Sequence, residues 1–132
     1  MIRFYAITSF SDNLNELKKV KRGVYANVED EIRSEFSDRS IEEIRSNRDM
    51  ILMSDDAIVI KLRLPDKKHR LAKKDGYRLI YMVSKNKETV VFLDIYPKRG
   101  PKQRLSVSDQ ELAELLSQFA EEVKSGNLSE FR

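Results

Sequence analysis

The sequence predicts an α+β fold on three observations: three β-like runs lie close together in the second half, helical patterns flank them, and the links between the runs are short. The runs are Ala57–Leu64, Tyr77–Ser84 and residues 89–96. In the first, Ile58, Ile60, Leu62 and Leu64 alternate with Val59, Lys61 and Arg63, the pattern of a half-buried strand. Gly76 precedes the second run, and Lys85-Asn86-Lys87-Glu88 turns the chain into the third. Pro97 ends that third strand, because proline has no N–H to give a ladder. Consecutive strands with short links pair most simply as an antiparallel meander.

The other elements follow in order. Residues 2–9 read as an N-terminal strand, with Phe4, Ala6 and Thr8 alternating with Tyr5 and Ile7. Ser11-Asp12 offers a cap for a helix over residues 12–21 that carries Leu14, Leu17 and Val20 at helical spacing. After Gly23, Val24, Val28, Ile32 and Phe36 form one stripe of a second helix, whose other faces hold Glu29, Asp30, Glu31 and Glu35. Ser40 and Glu43 have capping-box spacing, so a short helix is expected over residues 41–46. Met50–Met53 reads as a short strand, and Ser54-Asp55-Asp56 as the turn that follows. Ser108 and Glu111 repeat the capping-box spacing ahead of a last helix with Leu112, Leu115, Leu116, Phe119 and Val123 on one face, ended by Ser125-Gly126-Asn127. The expected architecture is a small antiparallel sheet, meander plus N-terminal strand, with the helices packed on one face.

With 132 residues the chain is expected to form one domain, residues 1–132. It lacks a membrane-length apolar run and the plan of a signal peptide, and it has no cysteine, so a cytoplasmic protein without disulfides or thiolate chemistry is expected.

Charge is distributed unevenly. Residues 57–104 hold fourteen Lys and Arg against four acids, an excess of ten, although the whole chain carries only +3. Clustered cations in an acidic frame attract phosphates. In a meander the end of the first strand and the start of the second share one end of the sheet with the end of the third. Arg63, Arg78, Lys98 and Arg99 are therefore expected to converge there.

The residue inventory narrows the chemistry. Metal-assisted hydrolysis needs grouped carboxylates or histidines, whereas this block has scattered acids and one histidine, His69, read as a loop residue among lysines. No glycine-rich phosphate loop and no serine, histidine and acid spacing is present. Lys and Arg beside Tyr77, Tyr81 and Tyr96 suit a phosphodiester. They also suffice to cleave RNA, where the 2′-hydroxyl attacks its own phosphate: a base takes a proton, cations hold charge, and an acid protonates the leaving oxygen. A lysine crowded by cations can act as the base, while arginine stays charged. The run Lys67-Lys68-His69-Arg70-Leu71-Ala72-Lys73-Lys74 is open to two readings, a solvated loop or an RNA-docking one.

The succession Ile60-Lys61-Leu62-Arg63-Leu64, a basic loop, Gly76-Tyr77-Arg78-Leu79-Ile80-Tyr81, then Val90-Val91-Phe92-Leu93-Asp94-Ile95-Tyr96-Pro97-Lys98-Arg99 resembles the RelE/HigB-type toxins of bacterial toxin–antitoxin modules. The resemblance covers roughly residues 58–119. It implies a RelE-like domain that cuts mRNA in the ribosomal A site without a metal or other cofactor, docked on rRNA and held in check by a cognate antitoxin. By match, Lys61 would be the base, Arg78 would stabilise the phosphate, and Arg99 with Lys98 would support the leaving group. Arg63, Lys67, Lys68, Arg70, Lys73, Lys74, Tyr96 and Lys102 would bind RNA. Many members carry a tyrosine a few residues further on; here Leu105 stands there, which is closer to the HigB-like branch. Residues 65–75 also make a longer connection than RelE's tight turn. Two alternatives remain: a ParE-like toxin that blocks DNA gyrase, and a nucleic-acid-binding domain without activity.

Overall fold

The computed structural model describes residues 1–46 and 49–131. In chain order the elements are β1 (Arg3–Ala6), α1 (Thr8–Lys19), α2 (Val28–Phe36), α3 (Ile41–Arg45), β2 (Met50–Met53), β3 (Ala57–Leu64), β4 (Tyr77–Ser84), β5 (Thr89–Pro97), α4 (Asp109–Ser125) and β6 (Ser129–Glu130), with 3₁₀ turns at Lys21–Gly23 and Lys67–His69. The fold is α+β. Its single open sheet has the order β2-β3-β4-β5-β1-β6, and only the β1–β5 pair is parallel.

Directly paired residues share a face of a sheet. Ile60, Tyr81 and Phe92 fall in one row facing the helices. There the Phe36 ring of α2 meets Tyr81 and Phe92 edge to face, Phe10 of α1 stacks on Phe92, and the Tyr81 hydroxyl donates to the Ile44 carbonyl of α3 at 2.8 Å. Burial of these aromatic rings, together with the surrounding Ile, Leu and Val side chains, stabilises the core. On the opposite face lie the rows Lys61–Ile80–Asp94 and Arg63–Arg78–Tyr96. Between Ile80 and Tyr81 the pairing skips Leu93 on β5, a bulge that re-aims Asp94.

Several boundaries differ from the sequence reading. The first strand stops at Ala6 and α1 begins at Thr8, well ahead of Ser11-Asp12. The cause is distant in sequence: the Thr8 N–H donates to the Glu122 carboxylate at 3.0 Å, and the Ser9 N–H to Gln118 Oε1 at 3.2 Å. Side chains of α4 thus satisfy the donors that a local cap would have taken. Val24 lies outside α2, in the turn before it, and the two-residue β6, which pairs antiparallel with β1, had no sequence signal. Both capping boxes, Ser40 with Glu43 and Ser108 with Glu111, form as expected.

Gly76 shows why the meander needs a glycine before its second strand. A Cβ there would sit on the Leu64 carbonyl oxygen, so the approach of the 65–75 connection to β3 excludes any side chain.

Candidate nucleic-acid-binding site

The meander delivers a shared end. Arg63 pairs with Arg78, and Arg78 with Tyr96, so these three side chains occupy one row, with Lys61 in the next row on the same face. Lys98 lies two residues past Tyr96, its N–H donating to the Gly76 carbonyl at 2.9 Å. Its ammonium feels the charges of Arg78 and Lys61, and Arg78 feels Arg63. Among the described residues no carboxylate forms an ion pair with Lys61, Arg63, Arg78 or Lys98. Four cations from three strands thus share one face of the sheet; Asp49 and Asp75 act on Arg78 from nearby, and Asp94, in the row of Lys61, is taken by Arg104.

Their environments differ. Arg78 is buried, and its guanidinium donates to the carbonyls of Lys73 at 2.8 Å, Lys74 at 2.9 Å and Tyr77 at 3.1 Å. It fastens the turn that leads into β4. Lys98 Nζ donates to the Leu105 carbonyl at 2.6 Å and the Arg104 carbonyl at 3.3 Å. Desolvation, followed by Arg78 and Lys61, pushes the Lys98 ammonium below the ordinary lysine range. The buried Tyr96 hydroxyl has no hydrogen-bond partner among the described residues, and burial raises its pKa against the opposing pull of Arg78 and Arg104. The Arg104 guanidinium lies 5.0 Å from the centre of the Tyr96 ring and is itself held by Asp94 at 3.0 Å and Glu111 at 2.5 Å.

Arg99 is placed elsewhere. Its Nη2 donates to Asp66 at 2.6 Å and to the Val24 carbonyl at 2.8 Å, and its guanidinium lies over the Tyr25 ring. Asp66 is only 1% exposed and also accepts from Asn27 at 2.8 Å and from His69 Nδ1 at 2.9 Å. Burial on its own would raise the Asp66 carboxyl, but hydrogen bonds from Arg99, His69 and Asn27 hold it below the usual range. Buried Glu31 accepts from the Lys67 N–H at 2.6 Å and from Asn27 at 3.2 Å. These bonds clamp the 65–71 loop to the start of α2. Arg99 is therefore neutralised inside the protein, on the helix side, while its neighbour Lys98 joins the cation face.

Lys67, Lys68, Arg70, Lys73 and Lys74 stand exposed along the loop, and Lys102 is exposed beyond β5, with its N–H donating to the Tyr25 hydroxyl at 3.0 Å. The sequence reading missed the network of Asn27, Glu31 and Asp66. Its one available signal was Asp66, an acid within a basic stretch. Among the described residues no three His, Cys, Asp or Glu side chains are grouped to hold a metal ion.

No family model, curated protein or solved structure matches this chain. Four cations on one sheet face, none of them in an ion pair among the described residues, favour an anion that offers several oxygens, as a phosphodiester does.

Proposed function

We propose that this protein is an endoribonuclease that needs no metal, the toxin of a toxin–antitoxin module acting on mRNA at the ribosome, with a cognate antitoxin as its protein partner. One observation carries the reading: Lys61, Arg63, Arg78 and Lys98 share one face toward one end of the sheet, and among the described residues none of them is held in an ion pair.

Lys98, with its lowered proton affinity, is the group suited to act as base, and Lys61 takes the place beside it. Lys98, in the fraction that is deprotonated, accepts the 2′-hydroxyl proton as the 2′ oxygen bonds to phosphorus. The bond from phosphorus to the 5′ oxygen breaks, and that oxygen leaves with a proton from the Lys61 ammonium. The products are a 2′,3′-cyclic phosphate and a 5′-hydroxyl. Arg63 and Arg78 stabilise the extra charge on phosphorus. Arg78 does so chiefly through its field, since much of its donor set is spent on carbonyls. Arg99 acts indirectly, by anchoring the loop through Asp66.

The tethering of Arg78 favours a second reading, a nucleic-acid-binding domain without activity, because a buried arginine bound to carbonyls is also a plain structural device. Adding the protein to a translating extract and mapping mRNA ends separates the two. New ends in phase with codons, about 100-fold fewer for Lys98→Met, support the nuclease. Intact mRNA with retained RNA binding leaves the inactive domain, and intact mRNA with blocked supercoiling points to gyrase.

A further inference from the structure

Among the described residues two non-glycine residues have positive φ, and both are arginines: Arg22 at 65° and Arg70 at 59°. The Cβ of an L-residue crowds the following carbonyl there, and glycine or asparagine is the usual occupant. Arg22 lies in the 3₁₀ turn before α2, and Arg70 ends the 3₁₀ turn of the basic loop. The two turns meet, since a Cβ on Gly23 would lie 3.8 Å from Lys68 Nζ. The acids beneath, Asp66 and Glu31, are buried and taken up by Arg99, His69, Asn27 and the Lys67 backbone. Lys21, Arg22, Lys68 and Arg70 are exposed, and among the described residues none of them forms an ion pair.

This cluster is separate from the cation face. Lys98 and Arg99, adjacent in the chain, mark the divide, one reaching the cation face and the other the Asp66 side. Backbone strain kept at two exposed arginines implies a use for their charge, because strain of this kind persists where function requires it.

We propose that Lys21, Arg22, Lys68 and Arg70 form a second docking surface, on the helix side of the sheet end, that holds the phosphate backbone of single-stranded RNA beyond the bond being cut. The choice of RNA rests on the proposed function; the surface itself rests on the convergence and strain of the two turns.

The test uses the full chain and a fluorescein-labelled single-stranded RNA of twenty nucleotides, 2′-O-methylated so that it cannot be cleaved, with binding followed by anisotropy at several salt concentrations. Arg22→Gly and Arg70→Gly keep or raise Tm, because glycine relieves the positive φ. Each weakens RNA binding about three- to tenfold, and each lowers the slope of log K against log salt by roughly 0.7. Arg22→Asn and Arg70→Asn, which tolerate the same conformation, weaken binding equally, while Lys124→Ala at the far end of α4 leaves it unchanged. Unaltered affinity in the glycine variants overturns the proposal, as does tighter binding of a DNA of the same sequence. If the glycine variants lose affinity but the wild-type protein cuts no mRNA, the nuclease reading fails and this surface stands. If mRNA is cut and the glycine variants bind as well as wild type, the surface fails and the nuclease stands.

Discussion

Asp66 is the residue on which most of the site's scaffold depends. It is buried, carries a charge, and receives Arg99, His69 and Asn27, so removing its charge strands a guanidinium that is itself tied to the Val24 carbonyl. Asp66→Asn is expected to cost about 3 kcal/mol in urea unfolding, the range for breaking a buried pair by removing one partner. The pH dependence has a definite sign. A carboxyl held lower in the folded than in the unfolded state contributes stability above its unfolded pKa, and that contribution is lost as pH falls through the folded value. Wild-type Tm should therefore fall as pH drops below about 4, whereas Asp66→Asn should lack that part of the acid limb. An unchanged acid limb in the variant would remove Asp66 from this role. Sequence reasoning placed Arg63, Arg78 and Lys98 together because alternation and turn positions are local, whereas Lys61 entered only through the resemblance. It placed Arg99 with them as well, whereas Arg99 turns to Asp66, 33 residues upstream, where the chain bends beyond the end of β5.

At the level of elements, α1 is capped from across the molecule. The Glu122 carboxylate and Gln118 amide oxygen take the Thr8 and Ser9 N–H groups, and Glu122 is the one buried residue of α4. Glu122→Ala should destabilise the fold by about 1 kcal/mol, the usual worth of an N-cap, with hydrogen-exchange protection lost first at Thr8 and Ser9. Wild-type protection at those amides in the variant would show that α1 does not need α4. The central strands and both capping boxes were legible because their signals lie within a few residues of each other. The start of α1 was not, because a cap supplied by a helix more than a hundred residues away leaves no local pattern. β6 was equally silent, as two residues cannot show a period.

The whole molecule has a liability as well as a charged end. β2 is an edge strand, and Met50, Ile51, Leu52 and Met53 are 45%, 40%, 43% and 54% exposed, with no lysine or proline among them to blunt strand-to-strand pairing. Leu52→Lys should leave Tm within about 2 °C of wild type and slow aggregation in light scattering; a large fall in Tm would mean that β2 is needed for the core. The cation excess of residues 57–104 was readable from composition, but its division between two sides of the sheet end was not, because it depends on where buried Asp66 and Glu31 sit. Binding to RNA should weaken steeply with salt, since every phosphate neutralised releases counterions.

The central claim is that the cations at the sheet end cleave RNA through its own 2′-hydroxyl. The most direct measurement is the chemistry of the cut ends made in a translating extract, read by ligation that accepts only 2′,3′-cyclic phosphate or only 3′-hydroxyl termini. The account predicts cyclic-phosphate ends that nearly vanish with Lys98→Met, whereas 3′-hydroxyl ends, or cutting that Lys98→Met leaves unchanged, would contradict it.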